Sequence, residues 1–186
     1  EGMASPQCYV IEEMLKRSLT VPVMHGELST AVMVTAALVN ALRVVGKRWQ
    51  DAKVVIHGAG TSGVATARLL LKSGIGELRI CDEHGRIHSE RHVGMDWIKA
   101  ELASLTNPSN ETGSLADAMV GADVYIGYKD NSVLEPACIS TMAEGAIVFV
   151  LAMPAPEISY EAAKAAGAAV VATQDSDSPN SIQVSM

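Results

Sequence analysis

Aromatic side chains are scarce in this sequence: one Phe, two Trp and four Tyr account for 4% of 186 residues, while 48% of all residues are hydrophobic. The apolar surface must therefore come from Ala, Val, Ile, Leu and Met, a composition suited to helices packed on a buried parallel sheet. Cysteine is rarer still. Cys8, Cys81 and Cys138 lie far apart without ligand-like spacing, which argues against a disulfide framework or a thiolate metal cluster and for buried free thiols in a reducing compartment. Basic residues are the minority, 14 Lys and Arg against 21 Asp and Glu, and a formal net charge of -7 argues against nucleic acid or an anionic membrane surface as partner. No uninterrupted apolar run reaches membrane-spanning length. The longest apolar-rich stretch, residues 30–45, is broken by Thr35, Asn40 and Arg43 and reads as a buried helix. No secretory leader is visible, so the cytoplasm is the expected compartment. The chain begins at Glu1-Gly2 and reads as a processed product or a piece of a longer protein.

What is present is an alternation of strand and helix patterns. Residues 8–19 carry a helical pattern, and residues 21–24 are a short extended piece. A long helix follows, with Ser29 or Thr30 as its cap and Gly46 as its stop. The βα alternation starts at residue 53. Strands are expected at 53–57, 77–81, 122–126, 146–151 and 168–172, and helices at 61–72, 94–105, 114–120, 136–142 and 159–166. Ser114 with Asp117 three residues on has the form of a helix cap, while residues 83–110 give a weak signal apart from their helix. This order predicts one α/β domain over 1–186: a helical N-terminal segment at 1–50 and, over 51–186, a Rossmann-like doubly wound, mainly parallel sheet with helices on both faces.

The strongest local signal is Val54-Val55-Ile56-His57-Gly58-Ala59-Gly60-Thr61-Ser62-Gly63, a strand running into G-x-G-x-x-G and then a helix. Gly58 permits the tight turn, Gly60 lets backbone approach a pyrophosphate, and Gly63 lets the helix pack close to the strand. Free N–H groups at the helix start, Thr61 and Ser62 among them, would receive the phosphates. The next strand ends at Asp82, about twenty residues beyond Gly63, where a carboxylate holds the adenosine ribose in such sites. That carboxylate, with Glu83 beside it, favours NAD over NADP because it would repel a 2′-phosphate. Arg79, His84 and Arg86 are near enough in sequence to offset it, so NADP stays open.

Other candidates carry bland readings. His25 suits a helix start and His57 suits packing at a strand end. His84, His88 and His92 recur every four residues, but Gly85 breaks the helix and no thiol or carboxylate pattern supports zinc, which leaves a solvated loop. Trp49 and Trp97 read as packing anchors. Met3, Met14, Met24 and Met33 read as facing a partner subunit or a further domain, so a homo-oligomer or partner domain is expected.

With these words placed, the chain resembles the NAD-binding domain of malic enzymes, most closely the bacterial type. Residues 4–13 (ASPQCYVIEE) are similar to the family's A-A-P-x-C-F-x-I-E segment, and residues 21–46 to its P-V-F-H-D-D region and following helix. Residues 121–127 (GADVYIG), 151–157 (LAMPAPE), 167–173 (GAAVVAT) and 176–180 (SDSPN) are similar to G-A-D-V-x-I-G, L-A-N-P-x-P-E, G-A-A-V-V-A-T and S-D-x-P-N. The resemblance implies a dinucleotide cleft to which Thr30, Gly127, Tyr128, Ala152 and Met153 contribute beside the glycine loop, Asp82 and Glu83. It also implies oxidation of malate by hydride transfer to NAD(P) and decarboxylation assisted by a divalent Mg or Mn ion. The family's base Lys and acid Tyr lie in an N-terminal domain with no counterpart in this sequence.

The positions that would do chemistry depart from the family. Of its E-D metal pair only Glu1 remains, beside Gly2. The H-D-D-Q-x-G-T stretch reads His25-Gly26-Glu27-Leu28-Ser29-Thr30, one residue shorter, with Glu27 as the nearest carboxylate. One or two side chains hold a hard cation poorly, so a bound divalent metal is doubtful. The Asn of L-A-N-P is Met153, and N-Q-x-N-N becomes Asn180-Ser181-Ile182-Gln183-Val184, leaving Asn180 as a contact for a small carboxylic-acid substrate. A family glycine is Ser132, in a segment with Tyr128, Lys129, Asp130 and Asn131. Glu27, Tyr128 and Lys129 are the residual candidates for catalysis. The expectation is an NAD(P)-binding oxidoreductase domain, with a non-catalytic regulatory or assembly module, or an oxidoreductase of changed substrate, as alternatives.

Overall fold

A computed structural model describes residues 3–183. Helix α1 (Gln7–Ser18) and helix α2 (Glu27–Val44) form the N-terminal segment. The sheet is built from β1 (Lys53–His57), β2 (Glu77–Asp82), β3 (Gly85–Arg86), β4 (Val124–Gly127), β5 (Ile147–Val150) and β6 (Val170–Thr173). The intervening helices are α3 (Thr61–Lys72), α4 (Trp97–Thr106), α5 (Leu115–Met119), α6 (Pro136–Ser140) and α7 (Tyr160–Ala165). The strand order is β3-β2-β1-β4-β5-β6, with every pairing parallel except β2 with β3. The order reverses between β1 and β4, the point where doubly wound sheets bind ligands.

Strand periodicity places successive side chains on opposite faces, and both faces are apolar. Val54, Ile56, Leu78, Ile80, Val124 and Ile126 point to one face, under Val34 and Leu38 of α2, Val64 and Leu70 of α3 and Ile98 and Leu102 of α4. Val55, Cys81, Tyr125, Val148 and Val171 point to the other, under Met119 of α5, Ile139 of α6 and Ala163 of α7. Helix α2 is long and apolar enough to cross a membrane by composition. Its buried row Thr30, Ala31, Val34, Leu38, Ala41, Leu42 belongs to the core of this fold. Leu38 is fully buried in that row. Leu38→Ala is expected to destabilise the fold by about 2–5 kcal/mol, read as a lowered urea midpoint with an unchanged slope.

The helix ends follow local chemistry. Ser114 caps α5 in a closed capping box with Asp117, and Ser159 accepts from the Ala162 amide at the start of α7. Asp96 accepts from the Ile98 and Lys99 amides, so α4 starts at Trp97, later than residue 94. The cap expected at Ser29 or Thr30 is not there. Helix α2 begins at Glu27 after Gly26, and the Ser29 hydroxyl donates back to the Gly26 carbonyl from inside the first turn. The extended piece at 21–24 pairs with no strand. Strand β3 was not expected: it is the return of a tight hairpin after Asp82, too short to leave a periodic trace.

Candidate functional site

The register aligns the carboxyl ends of the strands. His57 pairs with Cys81 on one side and Gly127 on the other, Gly127 pairs with Val150, and Val150 with Thr173. The segments beginning at Gly58, Glu83, Tyr128, Leu151 and Gln174 therefore leave their strands along one edge.

At the centre of that edge is the glycine loop. Gly58 has φ +111, a conformation that side chains disfavour, and its amide is tied to the Cys81 carbonyl. A Cβ on Gly63 would lie 1.8 Å from the Gly58 carbonyl oxygen, so α3 packs onto the loop with no room for one. Gly60 differs: nothing lies within 4 Å of where its Cβ would be. It is the N-cap of α3, no side chain caps that helix, and the first-turn residues Thr61 and Ser62 line recesses beside the helix's partial positive charge.

Two recesses flank the loop. The larger, about 440 Å³, is lined by Gly58, Gly60, Thr61, Asp82, Glu83, Asp96, Lys99, Tyr128, Lys129 and Asp130 among others. The smaller, about 280 Å³, is lined by Glu27, Thr30, Gly60, Thr61, Ser62, Gly63, Tyr128, Asp130, Leu151, Met153 and Gln174. They share Gly60, Thr61, Tyr128 and Asp130, and so form one groove across the loop. A third recess of about 460 Å³ lies farther along the edge, between the segments after β5 and β6, and the glycine loop does not reach it.

Asp82 sits where the sequence places it, but its carboxylate is already engaged. It accepts from Arg91 at 2.8 and 2.5 Å, from Lys99 at 2.9 Å and from the His84 amide at 2.9 Å, and its side chain is only 2% exposed. Burial pushes this carboxyl up, and the Arg91, Lys99 and His84 hydrogen bonds outweigh it, holding it below the ordinary value. The cations expected to offset Asp82 are elsewhere: Arg79 pairs with Glu77 and the carbonyls of Ala118 and Val120, and Arg86 pairs with Glu111. Glu83 is half-exposed, 3.6 Å from Lys129.

The catalytic candidates do not converge. The Tyr128 hydroxyl is bonded to buried Thr66 of α3 at 2.7 Å, and burial lifts it far above the ordinary phenol value, so it is a packing group whose ring borders the groove. The Lys129 ammonium faces Glu83 over the larger recess. Glu27 faces the smaller one, accepting from Ser62 at 2.5 Å. Asn180 is tied to the edge strand: its side-chain amide donates to the Val171 carbonyl at 3.0 Å and its backbone carbonyl accepts from the Thr173 amide. Met153 turns its amide to Asp130 at 3.3 Å. Glu1 and Val184 lie outside the described residues. Among the described residues no three His, Cys, Asp or Glu side chains converge, so these residues do not by themselves assemble a three-carboxylate metal set.

The N-terminal segment is tied to the loop. Tyr9 of α1 donates to the Thr61 carbonyl at 2.8 Å, Arg68 of α3 lies 4.9 Å over its ring, and His25 meets the ring edge-on while standing 3.6 Å from Glu12. Sequence reasoning missed Arg91, for which no spacing speaks. It also missed Lys99, which the position of α4 could have flagged, and Glu157, buried beneath Gly127.

No protein-family model matches the chain. Its relatives are malic enzymes. It is 42% identical to the bifunctional malic/malolactic enzyme of Bacillus subtilis over 98% of its own length and 45% of that protein's. It is 36% identical to the NADP-dependent malic enzyme of Haemophilus influenzae over 98% of its own length and 24% of the other. The crystal structure of the NAD-dependent malic enzyme of Thermotoga maritima superposes with a TM-score of 0.91 at 35% identity, over 96% of this chain and 48% of that one. The chain thus spans less than half the length of each of these relatives. Shared sequence over nearly its whole length, and a shared fold, match this chain to the NAD-binding region of malic enzymes.

Proposed function

We propose that the chain binds a nicotinamide dinucleotide in an extended form across the glycine loop. The uncapped N-terminus of α3, opening at the sheet's switch point with Gly60 left clear, carries this reading. The pyrophosphate lies on the amides of Gly60, Thr61 and Ser62. The adenosine enters the larger recess, and the nicotinamide enters the smaller one beside Thr30, Leu151 and Met153. NAD is the preferred form. The larger recess presents the carboxylates of Asp82, Glu83, Asp96 and Asp130 against the ammonium groups of Lys99 and Lys129, both of which are already paired. A 2′-phosphate would enter a field of its own sign. The half-exposed Glu83 is the freer acceptor for the ribose hydroxyls.

The module supplies the dinucleotide half of an oxidoreductase of the malic-enzyme type, with a small carboxylic acid as substrate of the complete protein. When bound, the cofactor supplies a hydride acceptor. The residues of this chain hold and orient it. Met153, whose thioether donates no hydrogen bond, favours binding without malate turnover by this chain alone. Calorimetric titration is expected to show NAD binding at least tenfold tighter than NADP, since one like-charge contact of about 1.4 kcal/mol is tenfold. Malate, NAD and manganese added to the same chain should give no NADH absorbance. Failure of both dinucleotides to bind would overturn the reading, and steady NADH production would overturn its second half.

A further inference from the structure

Beneath the groove, on the face of the sheet away from α3, lies a buried polar cluster that the cofactor contacts do not use. Glu157, in the segment after β5, is 3% exposed, and neither carboxyl oxygen closes a well-aligned hydrogen bond. It lies directly under Gly127: a Cβ there would be 1.9 Å from Glu157 Oε1 and 2.8 Å from the Tyr125 hydroxyl. Tyr125 is fully buried and its hydroxyl stands 3.1 Å from Nδ1 of His57, the last residue before the glycine loop. The carboxyl also faces the backbone amides of Ala152 and Lys129, one in each of the segments that wall the groove. The Glu157 carbonyl accepts from Leu134 at 2.9 Å, which fixes the backbone from which the side chain reaches. One buried acid thus sits at the junction of β1, β4 and the two segments after β4 and β5.

We propose that Glu157 is a positioning residue of the dinucleotide groove, which takes up one proton from solvent as the dinucleotide binds and so couples the Lys129 and Ala152 segments to the pyrophosphate's charge. The inference rests on the dinucleotide reading above. As a carboxylate, Glu157 draws the Ala152 and Lys129 amides inward. The pyrophosphate brings negative charge to the other side of the same segments, which disfavours a second buried negative charge. Protonation relieves that repulsion, and the acid can then donate to Tyr125 or accept from it. The step balances: one proton leaves the buffer, one carboxylate becomes a carboxylic acid, and no other bond changes.

The neighbouring groups leave Glu157 as the one poised to respond. Burial pushes it up to about 7, against the pull of its own amide and those of Ala152 and Lys129, and Asp130 raises it further. Burial lifts the Tyr125 hydroxyl and the thiols of Cys81 and Cys138, so these stay neutral. Burial, followed by Lys129, lowers His57, which stays a neutral partner of Tyr125. Lys129 is the cation of the set, and it is turned to Glu83.

The test is calorimetric titration of the full chain with NAD, from mildly acid to mildly alkaline pH, in buffers of contrasting ionisation enthalpy. For the unaltered chain, net proton uptake is expected around neutrality. Affinity should fall as pH rises, by about tenfold for each unit by which binding raises the carboxyl's pKa. Glu157→Gln, neutral and of the same shape, should bind NAD with no uptake and a flat pH profile. Growth of the protonated-carboxyl infrared band when NAD is added to the unaltered chain at mildly alkaline pH reads the same event without any variant. Binding of NAD with no proton exchange and no band growth overturns the proposal while leaving the dinucleotide reading intact. Uptake that persists in Glu157→Gln also overturns it and assigns the proton to another group. Absence of NAD binding by either chain removes both.

Discussion

Gly60→Val is expected to fold as stably as the unaltered chain and to bind NAD about a hundredfold more weakly, whereas Gly63→Ala is expected to destabilise the fold. Both belong to one G-x-G-x-x-G word, so the sequence treats them alike. Around Gly60 there is empty space, and its backbone lies at φ -81, which any residue adopts. The Cβ of a valine there has no protein atom within 4 Å, and its side chain takes the volume that the pyrophosphate needs. Losing two charge-assisted hydrogen bonds of about 1.5 kcal/mol each is about 3 kcal/mol, or roughly a hundredfold in affinity. A methyl on Gly63 instead meets the Gly58 carbonyl oxygen at 1.8 Å, a backbone atom that cannot swing away. Overpacking of this kind costs about 1–3 kcal/mol or more. The gain of about 1 kcal/mol in helix propensity from Gly to Ala does not offset it fully. Thermal melts and NAD titrations on the two variants read the contrast: the first keeps its midpoint and loses binding, the second melts at a lower temperature. A Gly60→Val chain that binds NAD normally would place the pyrophosphate elsewhere.

The contrast also marks what was legible in the residues. The strand at 53–57, the helix at 61–72 and the capping box of Ser114 with Asp117 follow from local rules, and the structure has them with the expected bounds or within a residue. Local rules suffice there because each signal is short-range: a β-branched run, a glycine turn, a hydroxyl three residues before a carboxylate. Tertiary partners are another matter. Asp82 was legible as the acid at the end of β2, but its engagement by Arg91 and Lys99 was not. One partner comes from an irregular loop and the other from a helix that starts at Trp97, three residues after the pattern begins. Tyr128 was expected near the chemistry because it follows β4. The structure turns its hydroxyl to Thr66, a contact between residues 62 apart in sequence. Asn180 went the same way, spent on the edge strand β6. Polar residues next to a site are drawn to it in a sequence reading. In the fold they also have backbone to satisfy, and only the fold decides which need comes first.

The second large effect concerns Arg91. Arg91→Ala is expected to destabilise the fold by about 3–5 kcal/mol, because it leaves a buried carboxylate without its bidentate partner. Asp82 keeps Lys99 and the His84 amide, which satisfy one oxygen each and do not replace the paired guanidinium bonds. The sign with pH follows from the depressed carboxyl. Its contribution is fully present above the unfolded-state value of about 4 and is lost as pH falls through the lower folded value. The variant's deficit should therefore be largest at neutral pH and shrink in acid, where protonation of Asp82 removes the interaction from both chains. Urea unfolding at neutral and acid pH measures this directly, with Asp82→Asn as the second corner of a cycle. In the Asp82→Asn background, removal of Arg91 should cost far less, since a neutral amide leaves no buried charge behind. Equal costs in the two backgrounds would mean that Arg91 acts through its packing and its bond to the Gly85 carbonyl, and that the Asp82 charge is neutralised mainly by Lys99. The cycle also bears on cofactor choice. With Arg91 gone, the acid edge of the larger recess becomes more negative, and discrimination against a 2′-phosphate should rise even as the fold weakens.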